Sequence, residues 1–438
     1  MKPGHFESIG SVIGIHLGST NSYLSVLEFE GNKQIPKVIK KFPSVVHLKS
    51  GDNPENVIYG FKRLVGRNFD DPIVQKEMKR NEFLPFPLPY KIVKSPSNAS
   101  AWVKTSYGHL CSPVTMLQGF ITNMKETAES YIGKKNVVTG AIFTSPRAKF
   151  TLDVLKATEK ATNMAGLVRV GTMFESNAAA IAYGLHNKEE GRLFAVVDLG
   201  GRTFDVSIME RVNSRPCFKP KGHAMGDIFL GGEDFDNVLM EYLVSEAMKG
   251  NGLTTTKDIP LLALQKFRLL AEQAKIQLSS ASETEITLPP ITSTDDASKG
   301  VEKHISIRLT RSKFEGLVSN LIERIKFECW NSLADAGVTA RDVDEVLLVG
   351  GMARVPIVER SVTEIFGKSP CRGLVAPDEA VALGAITDVL HQRCFGIHND
   401  DAWTLCEELD PDLVFPENLT TPWKDWYYCK YRSENRHN

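Results

Sequence analysis

The sequence predicts an α/β protein of two related lobes, each a mixed sheet with flanking helices, around a nucleotide cleft. Three observations predict it. In Ala195 to Ile208 a buried strand ends at Asp198, the glycines Gly200 and Gly201 follow, and a return strand opens with Thr203 and Asp205. The same plan occurs earlier, where Val12-Ile-Gly-Ile-His16-Leu17-Gly18-Ser19-Thr20-Asn21-Ser22 runs into Tyr23-Leu-Ser25-Val-Leu-Glu28, so that Leu17, Gly18, Ser25 and Glu28 align with Leu199, Gly200, Ser207 and Glu210. Glycines let backbone N–H groups close on an anion, and the nearby carboxylates and hydroxyls suit a magnesium-bound phosphate. Two such hairpins facing each other would clamp a nucleotide's phosphates. The third observation is length: 438 residues exceed what one simple core accommodates.

Composition narrows the classes. A formal net charge of −1 gives no electrostatic reason to expect nucleic acid or an anionic membrane surface as partner. The 7 cysteines are scattered, without a Cys-x-x-Cys pair, which reads as a reducing compartment. No apolar run approaches the ~20 residues that span a bilayer. The N-terminus lacks a signal-peptide core, and the first arginine is Arg63, which argues against an arginine-rich transit peptide.

Taken in order, Gly31 to Gly60, with Lys33, Lys37, Lys40 and Lys41, reads as a solvated loop face. Phe61-Lys62-Arg63 follows, and Pro85, Pro87 and Pro89 exclude a helix from the segment around them. From Pro113 a helix is expected, with Leu117, Ile121, Met124, Ala128 and Tyr131 on one face and Gly133 ending it. Val137 to Thr144 reads as a buried strand; helices follow from about Thr151 to Ala165 and from Ser176 to Leu185.

The second half opens with the central hairpin. In Gly231-Gly232-Glu233-Asp234-Phe235-Asp236, glycines precede an acidic first turn, which gathers backbone donors at a helix N-terminus but is also a common connector. That helix runs through Phe235, Leu239, Leu243 and Ala247 to Gly250-Asn-Gly252. Leu261 to Ser279 is a second long helix in which Glu272, Lys275 and Ser279 share one face, a trio that is usually only a surface ion pair. Thr284 to Leu288 pairs with His304 to Leu309, and Thr310 caps a helix reaching Ala336, closed by Gly337. Glu345 to Val349 is a buried strand ending at Gly350 and Gly351, which frees backbone and Arg354 to embrace a flat ring. Pro377-Asp378-Glu379 begins the last regular helix.

These segments resemble the nucleotide-binding domain of the 70-kDa heat-shock chaperone family, within the actin and sugar-kinase superfamily, over roughly residues 10 to 390. Gly231 to Asp236 and Ala274-Lys275-Ile-Gln-Leu-Ser279-Ser280 match the chaperones rather than the sugar kinases, and Asp344 to Met352 and Ile365 to Cys371 are similar to the mitochondrial branch. The resemblance implies an actin-like ATPase fold with lobe I over 10–190, its IB subdomain at about 40–112 partly deleted. It implies lobe II over 191–392, with a IIB subdomain at about 228–308, and leaves a divergent tail over 393–438. A peptide-binding domain and its client groove are not expected. ATP or ADP with Mg2+ are the implied ligands, and J-domain co-chaperones and nucleotide-exchange factors the implied partners. The branch is mitochondrial, but no transit peptide is read, so a cytoplasmic location is expected if the chain is complete.

Site residues follow from the same resemblance. Gly18, Ser19, Thr20 and Asn21 match the first phosphate loop; Gly200, Gly201 and Thr203 match the second, with Thr203 counted among the catalytic groups. Glu175, Asp198 and Asp205 match carboxylates that hold hydrated magnesium and orient the attacking water, and Gly231 and Gly232 would face the nucleotide. Glu272, Lys275, Ser279, Gly350, Gly351, Arg354 and Asp378 match the adenosine pocket.

Departures from the family pattern accompany these matches. His16 replaces a magnesium-side aspartate, a kind of loss that costs on the order of 10 to 100-fold in metal affinity or activity. Arg202 replaces a third glycine, where it either grips a phosphate or fills its space. A phosphate-contacting lysine is read as deleted between Lys49 and Asn56, with Lys62 not in its place. The usual Asn-Glu-Pro-Thr has become Phe174-Glu175-Ser176-Asn177, and a relay arginine aligns with Leu155 although Pro146 is kept, which points to weak coupling between lobes. The tail, with Trp403, Trp423, Trp426 and Tyr431, reads as a docking tail or, preferred, a poorly packing terminus. The expected function is an ATP-binding chaperone module with weakened hydrolysis. A non-catalytic nucleotide-binding or co-chaperone-interaction protein is the alternative, and a small-molecule kinase on the same scaffold is the weakest reading.

Overall fold

The computed structural model describes residues 11–31, 33–47, 57–83, 90–105, 107–147, 151–213, 217–251, 259, 261–288, 305–373 and 375–395. The expectations for the segment between Lys49 and Asn56 and for most of the tail lie outside them. No helix among the described residues is long and apolar enough to cross a membrane.

Strands β1 (Ser11–His16) and β2 (Asn21–Glu30) form the first hairpin, with Gly14 opposite Ser25 and His16 opposite Tyr23. Strand β3 (Lys33–Pro43) then pairs with β2, so part of the expected loop face is a strand. It is a sheet edge, where Lys33, Lys37, Lys40, Lys41 and Pro36 deter pairing with another chain; outward lysines on an edge hide the strand signal. A ribbon of β4 (Val45–His47) and β5 (Val57–Tyr59) leads to a 3-10 turn over Phe61–Leu64 and to α1 (Pro72–Phe83), which the sequence reading did not place. Strands β6 (Tyr90–Lys94), β7 (Ala101–Thr105) and β8 (Leu110–Cys111) make a small meander.

Helix α2 (Pro113–Ile132) ends as expected at Gly133, whose φ of 75° suits a residue without a side chain. Leu117, Ile121, Met124 and Ala128 are buried, but Tyr131 is not: its hydroxyl turns outward to Glu28 and to Lys37 Nζ. Strand β9 (Val138–Ser145) is buried, Thr151 caps α3 (Leu152–Met164) by accepting from the Val154 N–H, and β10 (Val168–Phe174) leads into α4 (Glu175–Ala182). The five strands are ordered β10-β9-β1-β2-β3.

The second sheet repeats the theme. Strands β11 (Leu193–Leu199) and β12 (Phe204–Arg211) pair with Val196 opposite Ser207 and Asp198 opposite Asp205, the register of the first hairpin. His16 and Tyr23 therefore stand where the second hairpin carries two aspartates. Strands β13 (Phe218–Pro220) and β14 (Met225–Asp227) flank β12. Helices α5 (Gly232–Asn251) and α6 (Leu261–Ser280) precede the ribbon of β15 (Glu283–Leu288) and β16 (Ile305–Thr310). The single helix expected from Thr310 to Ala336 is two, α7 (Arg311–Leu317) and α8 (Ser319–Asp335), broken at Val318. Gly316 is a weak helix former, and Ser319 Oγ donates to its carbonyl at 3.0 Å, which favours a bend.

Strand β17 (Glu345–Val349) lies parallel to β11, giving the order β13-β12-β11-β17. Helices α9 (Pro356–Phe366) and α10 (Ala380–Phe395) end the described chain. Helix α10 packs on α4, where Ala178, Ala179 and Ala180 are fully buried and a Cβ at Gly384 would collide with the Ala178 backbone. This small-residue seam joins the two sheets.

Candidate functional site

The two hairpin turns meet. A Cβ at Gly201 would run into the Thr20 hydroxyl, and one at Gly18 into the Asn21 carbonyl, so both glycines are set by close approach. Ser44 fixes the first turn: its Oγ donates to the Gly18 carbonyl at 2.7 Å and its N–H to Thr20 O at 2.8 Å. In the second turn the Gly200 N–H donates to Thr203 O at 2.9 Å. The N–H groups of Gly232 and Glu233 donate to Gly200 O and Gly201 O at 3.0 and 2.7 Å, and that of Gly231 to Asp234 Oδ2 at 2.9 Å. The donors expected to gather for an anion at the start of α5 are thus already used within the protein. Gly231 and Gly232 are also closely packed: a Cβ at Gly231 would strike the Arg202 backbone, and one at Gly232 would approach Met352 Sδ at 3.0 Å and Lys275 Nζ at 3.1 Å.

A small charged cluster lies under the first turn. His16 Nδ1 is 2.9 Å from Thr144 Oγ1 and 3.6 Å from Glu175 Oε1. Burial, and then the Lys62 cation, lower its pKa to about 3, so the ring is neutral at pH 7. Glu175 opens α4; its Oε1 is buried and accepts no hydrogen bond. Burial raises its pKa, with Lys62 opposing. Asp198 is pushed up to about 7 by burial first and the Glu175 carboxylate second, again opposed by Lys62. Asp205 is buried opposite Asp198.

Lys62 stands beside the first glycine turn: its Nζ donates to the Leu17 carbonyl and lies 3.8 Å from Glu175 Oε1, whereas the stretch where a lysine is read as deleted lies outside the described residues. Phe61, Arg63 and Leu64 of the 3-10 turn are buried, and Lys62 is its partly exposed member. A cavity of about 110 Å³ is lined by the polar Gly18, Ser19, Lys62 and Thr203 and by the apolar Phe120, Phe143 and Leu155 among others. Arg202 does neither of the two things left open for it: its side chain leaves the cleft for Glu77 and Glu233.

The residues assigned to adenosine form a second set. Lys275 is buried, not a surface partner of Glu272: its Nζ lies 2.7 Å from Asp236 Oδ1 and donates to Gly232 O at 3.2 Å. Burial raises Asp236 to about 6 against the pull of Lys275, with Glu272 adding to the rise. Ser279 Oγ is spent on the Lys275 carbonyl at 2.9 Å. Gly350 has φ 85° and lies against Leu199 and Asp198, whereas nothing stands within 4 Å of a Cβ at Gly351. Arg354 Nη2 is 2.5 Å from Asp378 Oδ1, and Asp378 Oδ2 accepts from the Tyr23 hydroxyl at 2.9 Å. Tyr23 in turn stacks on His16, with ring centroids 6.2 Å apart. Gly18, Ser19, Lys62 and Thr203 share one cavity; the set assigned to adenosine reaches the two hairpins through Gly232, Gly350 and Tyr23.

Among the described residues no group of three His, Cys, Asp or Glu is spaced to hold a metal ion directly. An oxygen-lined site that keeps a magnesium ion's water shell needs no such cage.

Comparison with known proteins agrees with this geometry. A family model described as "Hsp70 protein" matches residues 12–393. "Heat shock 70 kDa protein, mitochondrial" of Pisum sativum and that of Solanum tuberosum are each 49% identical over 394 residues, 85% of this chain and 54% of theirs. The chain thus spans about half the length of these curated relatives. With its actin-like ATPase fold and its likeness to the mitochondrial members, the chain belongs to the Hsp70 protein family.

Proposed function

We propose that the chain is an ATP-binding module of chaperone type whose hydrolysis is slow. The carrying observation is the apposition of two glycine turns, Thr20 against Gly201, beside a cavity lined by Gly18 and Ser19 of the first turn, Thr203 of the second and Lys62. Gly18 to Asn21 and Gly200, Gly201 and Thr203 would take the phosphates. Gly350, Gly351, Arg354 and Asp378, with Lys275 and Glu272 behind them, would take the adenosine. Glu175, Asp198 and Asp205 would hold magnesium through its waters, and the buried acceptor Glu175 Oε1, which accepts no hydrogen bond within the protein, suits that role. Magnesium, when bound, neutralises phosphate charge. Glu175 would also orient the attacking water.

Slowness rests on one substitution rather than three. Lys62 supplies a cation, Arg202 leaves the cleft, and only the neutral His16 removes charge from the magnesium side. The lobes 10–190 and 191–392, a mitochondrial location, and J-domain and exchange-factor partners belong to the same reading, supported by the relatives' likeness.

Calorimetric titration with ATP and ADP, with and without magnesium, followed by single-turnover hydrolysis, tests it. Both nucleotides bind, and turnover falls well below that of a full-length relative. Failure of either nucleotide to bind with magnesium present sinks the module, and turnover equal to the relative's sinks the slowness. Binding with no turnover at all favours the non-catalytic alternative.

A further inference from the structure

Arg202 stands in the second phosphate turn, yet its side chain is only 5% exposed and points away from the cleft. Its Nη2 lies 2.5 Å from Glu77 Oε1 of α1, and its Nε 2.6 Å from Glu233 Oε2 at the start of α5. Each carboxylate holds a second guanidinium. Arg63 Nη1 is 2.5 Å from Glu77 Oε2, and Arg268 Nη2 pairs with Glu233 Oε1. Arg63, Glu77, Arg202, Glu233 and Arg268 therefore alternate in sign along a mostly buried path from the first half of the chain to the second.

Neighbours reinforce the path. Arg63 Nη2 donates to the Arg202 carbonyl at 2.7 Å and to that of Ile228, while Arg268 Nη1 donates to the Tyr59 hydroxyl at 3.1 Å. The Phe229 ring lies against Arg63 at 4.7 Å and Lys76 at 4.4 Å. A Cβ at Gly60 would collide with Arg202 Nη1, so the chain is cleared for this side chain. Separating such charges leaves ions imperfectly compensated in a low-dielectric setting, which opposes opening.

We propose that Arg202 is a positioning residue that bolts the second phosphate turn to both sides of the cleft and thereby retards nucleotide release. The bolt rests on the nucleotide-binding reading above for its consequence, but not for its existence. Removing Arg202 leaves Glu77 with Arg63 and Glu233 with Arg268, so no buried carboxylate is stranded.

The test has two readouts on the whole chain. Stopped-flow measurement of a fluorescent ADP analogue leaving wild type, Arg202→Gly and Arg202→Lys reads release. Amide hydrogen exchange of residues 61–64 and 72–83 without nucleotide reads the bolt itself. Expected are release about 5- to 150-fold faster in Arg202→Gly, the range of an ordinary coupling energy, an intermediate rate in Arg202→Lys, and faster exchange in both segments. Should Arg202→Gly fail to fold, Arg202→Met carries the same comparison. Unchanged release overturns the proposal, as does faster release with unchanged exchange, because Arg202 would then act on the ligand directly. If wild type does not bind the analogue, the functional reading fails, and the exchange arm alone decides the bolt: faster exchange supports it and unchanged exchange overturns it.

Discussion

A neutral ring is an unusual group to find 3.6 Å from a buried carboxylate, and His16 makes the cleft sensitive to both metal and acid. Aspartate at position 16 would add a charge beside Glu175 and Asp198, repelled without a cation and welcomed by one. His16→Asp is accordingly expected to lower the melting temperature in chelator. The same change should strengthen the magnesium dependence of ADP affinity, read by calorimetry, on the order of 10 to 100-fold. Acid acts the other way. Burial and Lys62 hold the folded His16 pKa at about 3 against 6.5, so between those values the unfolded chain binds more protons and stability is lost as pH falls. His16→Asn removes that loss. Nucleotide-free melts from pH 7 to 4 should therefore show the variant gaining on wild type on the order of a few kcal/mol, with the difference confined below about pH 6.5. The raised pKa of Asp198, about 7, gives both proteins an opposite contribution that grows as pH falls from 7 toward 4. Lys62 carries the third expectation at this scale. Its Nζ is the cation that opposes the rise of both Glu175 and Asp198, so Lys62→Met should cut single-turnover hydrolysis by roughly 100- to 1,000-fold, the cost of one lost charge-stabilising donor. An unaffected rate would place Lys62 outside the chemistry.

Turns and strands set a different kind of limit, because a glycine can be demanded by the backbone or by a ligand. Gly350 and Gly351 separate the two. An added Cβ at Gly350 sits at φ 85° against the Leu199 backbone, so Gly350→Ala should cost about 1–3 kcal/mol in denaturant melts. Gly351 has open space, so Gly351→Ala should leave the melt within about 0.5 kcal/mol and weaken ADP binding if the ring lies there. Equal effects of the two on stability would deny Gly351 a ligand-facing role. The hairpins were legible in the sequence because strand periodicity, a carboxylate and adjacent glycines all act within fifteen residues of chain. Thr151, Gly133 and the apolar face of α2 were legible for the same reason. The edge strand β3 was not, since its lysines answer to solvent, and Val318 was not, since a serine and a glycine bend a helix that otherwise keeps its period. Lys62 and Arg202 depended on partners 113 and 125 residues away in Glu175 and Glu77, a separation no local pattern reports.

At the scale of the whole molecule, the two sheets touch the same cleft from opposite sides and are joined behind it by the seam of α4 and α10. Thr20 meets Gly201 in front; Tyr23, from the first sheet, reaches Asp378, which Arg354 holds from beyond the second. A ligand in that space contacts both halves or neither. Saturating ADP, at about 100 times its dissociation constant, should therefore add about 2.7 kcal/mol to stability as one cooperative gain. Amide exchange should slow together at residues 18–21, 200–203 and 350–354, which come from three separate parts of the chain. Protection of one group without the others would mean that the nucleotide binds a single wall. Because Arg202 already ties α1 to α5 across the mouth, protection should spread to residues 72–83, which line no part of the adenosine set, and this spread should vanish in Arg202→Gly while the three turns stay protected. Spread that survives the substitution would trace the closure to the seam behind the cleft instead of the bolt in front.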